Sequence, residues 1–332
     1  MLAVAFHPDG MYLLGGGEDG IRRWQLADGQ EVGKQMGMQL QAIAVSRDCK
    51  WIVCGMFEGG ASVWDAEMHE KLIEVGGRTT VRAVDVSPDS TRFATGTGLE
   101  DNKASVWSIT NGKRLIGPLE HDKDVAGIKF SPNGEQVATC CEGGSAVRIF
   151  DSRNGDKLID IKTTTPRKWP FTPLAWSSDS QQIFSVSDDN RIKSFAVSTG
   201  SQVAESPILD GARSISLAGN RKFIAAVADH HDAISFLDTL TLAKIGTAFK
   251  NSKGMQSIDL SLDTSQIATG RRGGKIDIYN LANFLPDSYG PFHVSICPFI
   301  MLAYWINNIP CRHTTLGIYS RRTTIRRPFD LR

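Results

Sequence analysis

The side chains able to do chemistry are few and scattered. The densest group is Asp229-His230-His231-Asp232, four residues able to ligate a metal in a row. Neighbouring side chains in a turn diverge, and a metal needs donors from separate elements held at fixed distance. With no third partner evident, the group reads as a solvated polar turn. Gly15-Gly16-Gly17-Glu18-Asp19-Gly20 has Gly-x-Gly-x-x-Gly spacing. A dinucleotide site needs that spacing between a strand and a helix, whereas a second strand pattern follows here, so the segment is expected to be a hairpin turn. No Gly-x-Ser-x-Gly elbow and no Gly-Lys-Ser/Thr phosphate loop occurs. The cysteines (Cys49, Cys54, Cys140, Cys141, Cys297 and Cys311) contain no Cys-x-x-Cys pair. They are expected to be buried small hydrophobes. The expectation is a chain without catalytic residues, metal or cofactor.

Binding chemistry is better represented. Thr163-Thr164-Thr165-Pro166-Arg167-Lys168-Trp169-Pro170-Phe171-Thr172-Pro173 sets cations and aromatics between prolines that limit its freedom. Arg and Trp on a preorganised segment are the types that most often dominate a protein interface. Arg271-Arg272-Gly273-Gly274 offers two further cations suited to an acidic or phosphorylated peptide. Arg167, Lys168, Trp169, Phe171, Arg271 and Arg272 are therefore the candidate partner-binding residues. Arg321-Arg322-Thr323-Thr324 resembles a basophilic kinase site with Thr324 as acceptor, a match short enough to arise by chance.

These residues must be positioned by something, and the chain supplies it by repetition. Phe6-His7-Pro8-Asp9-Gly10, Val45-Ser46-Arg47-Asp48, Val86-Ser87-Pro88-Asp89-Ser90, Phe130-Ser131-Pro132-Asn133-Gly134, Trp176-Ser177-Ser178-Asp179-Ser180, Leu217-Ala218-Gly219-Asn220 and Leu260-Ser261-Leu262-Asp263-Thr264 recur at intervals of 39, 41, 44, 46, 41 and 43. A β-pattern ending in Trp24, Trp64, Trp107, Phe150, Phe195, Leu237 or Tyr279 follows each turn by 18 to 21 residues. That period predicts a radial unit of four strands, with the terminal aromatic filling the wedge between neighbouring sheets. The 41% hydrophobic and 22% charged content is that of a soluble globular chain, and a net charge of +1 gives no global pull toward nucleic acid or acidic membrane. Met1 runs straight into the first repeat without a signal-peptide pattern, and the expected location is intracellular, cytoplasmic or nuclear.

The chain resembles a WD-repeat β-propeller over about residues 1–285. A Trp-Asp pair survives at Trp64-Asp65, with Phe150-Asp151 and Leu237-Asp238 as variants, and Glu120-His121 stands nearest the family's Gly-His pair. No repeat holds all four members of the family's His–Ser/Thr–Asp–Trp network, so packing is expected to dominate. The resemblance implies an all-β fold, a seven-bladed antiparallel β-propeller over 1–289, with repeats near 1–36, 37–77, 78–120, 121–162, 163–209, 210–250 and 251–289. Residues 290–332 form a divergent C-terminal extension. The function it implies is a non-catalytic scaffold that binds proteins or peptides through rim loops, with no small-molecule substrate, nucleic acid or membrane. The alternative is a sensor propeller separated from a larger NTPase-type signalling protein. A propeller enzyme would aim acids or metal ligands into the channel, where the innermost strands offer mainly Asp85, Lys129 and Asp259.

The seventh repeat is irregular. Val32, Leu72, Leu115, Leu158, Val203 and Ile245 each lie eight positions past the terminal large residue, but position 287 is Asp287, after Pro286. Proline is a poor strand residue, so the seventh unit lacks an outer strand of its own. His293-Val294-Ser295-Ile296-Cys297 in the C-terminal extension is one candidate to supply it, as an edge strand; disorder is the other expectation for 290–332.

Overall fold

Each repeated turn folds into a small hydrogen-bonded unit, and that unit explains the architecture. In the third repeat Ser87 Oγ donates to Asp89 Oδ1 (2.5 Å) and accepts from Arg92 N–H (3.0 Å). Ser46, Ser131, Ser177 and Ser261 do the same in theirs. The residue that reverses the chain sits at positive φ: Gly10, Cys49, Ser90, Gly134, Ser180, Arg221 or Thr264. Three of these side chains reach back to the preceding blade. Ser90 accepts from Asp48 N–H (3.3 Å), Ser180 from Asn133 N–H (3.2 Å) and Thr264 from Asn220 N–H (3.1 Å).

The structure, a computed structural model, describes residues 3–37, 39–99, 101–166, 173–209, 211–228, 233–246, 254–271, 274–290 and 323–325. Seven antiparallel sheets follow one another along the chain as a seven-bladed β-propeller, with no α-helix among the described residues. The innermost strands are Ala3–Phe6, Leu40–Val45, Thr80–Val86, Val125–Phe130, Leu174–Trp176, Ala212–Leu217 and Met255–Leu260. Each touches the next in order, and the seventh touches the first, so the ring is closed. Phe6 N–H donates to Asp259 Oδ2 (2.8 Å) across that closing seam.

The core is divided among the gaps between blades. Trp107 and Phe93 stack inside the gap between blades two and three, beside Val53, Val63 and Val84. Phe223, Phe236, Ile258 and Tyr279 fill the gap between blades six and seven, and Val4, Phe6, Leu13 and Ile276 the gap between seven and one. Each such aromatic removes about 150–250 Å² from water on entering the wedge. Parts of the polar network persist: Trp107 Nε1 donates to Thr95 Oγ1 (2.9 Å), and Trp64 Nε1 to Ser62 Oγ (2.7 Å). His121 bridges Leu119 O (2.9 Å) and Thr139 Oγ1 (2.8 Å), and burial holds its pKa below the usual histidine value. The neutral ring thus donates to the carbonyl from Nδ1 and accepts the hydroxyl at Nε2.

The outer strands show what repetition alone did not reveal. Leu72, Leu115, Leu158 and Val203, eight positions past the aromatic, face solvent on the outer wall. Among the described residues blade six has three strands, continued by a single bridge between Leu237 and Lys244. Blade seven does receive a fourth strand, Thr323–Ile325, paired antiparallel with Ile276–Asn280 through Ile276–Ile325 and Ile278–Thr323. His293–Cys297 lies outside the described residues.

Candidate binding face

Because every blade is an antiparallel meander, its loops sort to two faces. The repeated first-to-second-strand turns, with the third-to-fourth turns, occupy one. The second-to-third turns and the connections between blades occupy the other, and both candidate rim segments belong to this second face.

The first face carries the charged mouth of the central channel. Asp85, Lys129 and Asp259 line one cavity of 360 Å³ there. They work as staples between blades. Lys129 Nζ donates to Asp85 Oδ1 (2.8 Å), and Phe130 N–H to Asp85 Oδ2 (2.8 Å). Ser216 Oγ donates to Asp259 Oδ1 (3.2 Å), opposite the Phe6 contact. Burial pulls the Lys129 pKa down, but Asp85 and then Asp259 outweigh it and the net shift is upward. Burial pushes the Asp259 carboxyl up, past what its donors from Phe6 and Leu260 recover. The arrangement holds blades together around a cation.

On the second face, backbone bonds climb from blade to blade like stairs. Gln39 N–H donates to Glu18 O (3.0 Å) and Phe57 N–H to Gln39 O (3.0 Å). Glu58 N–H then donates to Thr80 Oγ1 (3.0 Å), and Leu99 N–H to Asp124 Oδ1 (3.2 Å). Asp124 is fixed by Arg82, whose guanidinium donates to Asp124 Oδ2 (2.5 Å) and Glu142 Oε2 (2.8 Å). Arg82 is 6% exposed and its two partners 25% and 20%, so this is a nearly buried clamp between blades three and four. Gly98 makes room for it, since a Cβ there would stand 2.5 Å from Arg82 Cδ. Beside the clamp, Leu40, Phe57, Leu99, Glu18 and Arg82 help to wall a cavity of 370 Å³.

Arg167, Lys168, Trp169, Phe171 and Arg272 lie outside the described residues, and so does Asp229–Asp232. What is described is how the first segment is anchored. Gly143 N–H donates to Pro166 O (2.8 Å) and Val186 N–H to Pro173 O (3.0 Å). Thr165 Oγ1 donates to Cys141 O and Thr164 Oγ1 to Asp188 Oδ1. Both ends are thus tied down, one to blade four and one to blade five. The Arg271 guanidinium meets the buried Asp277 carboxylate and Tyr279 OH (3.3 Å). Arg82, Asp124, Glu142, Phe57 and Leu99 were not singled out by sequence reasoning, because their closeness arises only when blades one to four are assembled.

Among the described residues no three His, Cys, Asp or Glu side chains are placed to hold a metal. Cys54, Cys140 and Cys141 are free, buried thiols, with Cys141 pushed up to about 11 by burial. No helix among them is long and apolar enough to cross a membrane.

The sequence model described as "WD domain, G-beta repeat" matches residues 1–21, 70–108 and 113–151. The second and third matches each begin near an outer strand and end on the third strand of the next blade, so the sequence repeat is out of phase with the blade. WD repeat-containing protein 1 from Rattus norvegicus is 24% identical over 224 residues, 63% of this chain and 35% of the relative. The protein of that name from Gallus gallus is 24% identical over 220 residues, 61% of this chain and 34% of the relative. The chain therefore spans about a third of the length of these curated relatives. The crystal structure of the Myceliophteria thermophila Cps50 (Swd1) β-propeller domain superposes with a TM-score of 0.72 at 14% identity, covering 83% of this chain and 94% of that one. That likeness is one of fold.

Proposed function

Since the chain belongs to the WD-repeat propellers, a family whose members are generally protein-interaction scaffolds, we propose that it is a non-catalytic scaffold. It gathers protein partners on the face that carries the second-to-third turns and the connections between blades. Arg167, Lys168, Trp169, Phe171 and Arg272 make the contacts, while Arg271 is engaged by Asp277. The observation that carries this reading is the double anchoring of the segment between Pro166 and Pro173. A segment held at both ends loses less freedom when a partner docks, so more of its contact energy appears as affinity. A closed ring adds a body that barely deforms under the load. The test is affinity capture with tagged full-length chain. Trp169→Ala should weaken capture by about 2 kcal/mol, some thirtyfold, if Trp169 is an anchor. Lys222→Ala, on the opposite face, should leave capture unchanged. Equal capture by Trp169→Ala and wild type, with matching melting curves, would refute the assignment.

A further inference from the structure

The cavity walled by Leu40, Phe57 and Leu99 holds a recognisable chemistry. Phe57 is 38% and Leu99 50% exposed, two large apolar side chains at the lip of one concavity on a face otherwise built of turns. Their placement is enforced. Gln39, Glu58, Leu99 and Asn102 have φ of 53°, 51°, 54° and 48°. That region is disfavoured for any residue with a side chain, and most of all for bulky ones such as leucine. At Leu99 the conformation is maintained by the bond to Asp124, which Arg82 holds in turn. At 370 Å³ the space is at the low end of the about 300–1,000 Å³ typical of ligand sites, enough for one or two side chains rather than a cofactor.

The electrostatics select the neighbours of such a side chain. Glu18 stands in the wall, Glu58 is an exposed neighbour of Phe57 in the same turn, and neither carboxylate has an ion pair among the described residues. The one cation in the wall, Arg82, already faces the two carboxylates of Asp124 and Glu142. The site is thus apolar at its centre and negative at its edge. We infer that this pocket, spanning blades one to three, binds a peptide segment of a partner protein in which a large aliphatic or aromatic side chain is flanked by arginine or lysine. The apolar side chain enters between Phe57 and Leu99, and the flanking cations pair with Glu18 and Glu58. The inference rests on the same face being a protein-contact surface, but it concerns a separate pocket from the anchored segment near Trp169.

The probe is a fluorescein-labelled peptide with one leucine between two arginines in a glycine–serine background, titrated with the full chain by fluorescence anisotropy at low and high salt. Saturable binding that weakens with salt is expected. Phe57→Ser and Leu99→Ser should each raise Kd about tenfold or more, the loss of one apolar anchor. Glu18→Gln combined with Glu58→Gln should remove most of the salt dependence, because the screened charges are gone. Versions of the peptide with alanine for leucine, or glutamate for arginine, should not saturate. All four substituted positions are exposed or on turns, so melting curves serve as the fold control, and Leu99→Ser stands in if Phe57→Ser melts early. Several results overturn the inference: no saturation with wild type, binding unchanged by the substitutions, or equal binding of the glutamate peptide. Tighter binding after removal of residues 326–332 would assign the pocket to the chain's own basic end and also overturn it. Failed peptide binding alongside lost capture in Trp169→Ala would sink this pocket alone. Intact peptide binding with capture insensitive to Trp169→Ala would sink the rim assignment alone.

Discussion

Replacing Arg82 with leucine tests how the binding face is held. The substitution keeps an apolar stem but removes the charge that Asp124 and Glu142 share. Their oxygens lie 2.5 and 2.8 Å from one guanidinium nitrogen, so the two carboxylates are left near each other. Two like charges about 5 Å apart repel by about 3 kcal/mol at an effective dielectric constant near 20. Breaking a fully buried pair costs about 3–5 kcal/mol. Because Asp124 and Glu142 retain 25% and 20% exposure, water recovers part of either figure,. A loss of about 2–3 kcal/mol is the expected net, or roughly 3–4 °C in Tm for a chain of this size. Urea and thermal unfolding followed by circular dichroism would measure it. Adding Asp124→Asn and Glu142→Gln to Arg82→Leu should recover most of the loss, since the orphaned charges cause it. Higher salt should shrink the deficit of the single variant. If Arg82→Leu melts like wild type, or if the triple variant is no better than the single, the clamp does not hold these blades.

Three further outcomes follow from the staples and turns. The Asp259 carboxyl has its pKa raised by burial, so its contribution to stability is fully present below the ordinary carboxylate value of 3.8 and fades as pH rises through the folded value. Asp259→Asn cannot ionise, and its stability relative to wild type should therefore improve as pH is raised from acid toward neutrality; a constant difference across a pH series of melts would contradict this. The hydrogen bond from Ser177, ahead of that from Gln181 N–H, holds Asp179 below the usual carboxylate value, which stabilises the fold above 3.8 and is lost in acid. Ser177→Ala should cost about 1 kcal/mol or more near pH 7, and the gap from wild type should narrow below pH 3.8, leaving only the pH-independent loss of the Gln182 N–H bond; a gap of constant size across the pH series counts against it. Removing residues 323–332 strips the outer strand from blade seven, exposes a sheet edge, and should lower stability by about 1–3 kcal/mol while raising light scattering. Unchanged melting and scattering would show that the strand adds nothing to the ring.

The ring was readable because its signals are local. An aspartate or asparagine followed by a reversing residue recurs in seven turns at a period near 40 and sets the blades, and in five of them a serine two residues before closes the turn. The terminal aromatics needed only their place in the third strand. The clamp was not readable, since Asp124 and Glu142 lie 42 and 60 positions from Arg82 and meet it only through the curvature of the sheet stack. Leu99 and Phe57 sat in turns, where an apolar residue carries no periodic signal. Alternation in the sequence favours His293–Cys297 as the outer strand of blade seven, while the described strand is Thr323–Ile325, three β-branched residues too few to show a period. Pairing with an edge already in place selects such a segment, and that selection is made in three dimensions.

A scaffold of this kind holds its partners on one face of the ring. Lysine cross-linking of a complex captured with the tagged full chain, read by mass spectrometry, tests it most directly. Lys103, Lys123 and Lys275 stand at turns or strand ends on the proposed face, while Lys50, Lys113 and Lys222 stand on the other. Links from the partner to Lys103, Lys123, Lys168 and Lys275, with Lys50, Lys113 and Lys222 unlinked, are the predicted result. Links concentrated on Lys50, Lys113 and Lys222 would place the partner on the opposite face and contradict it.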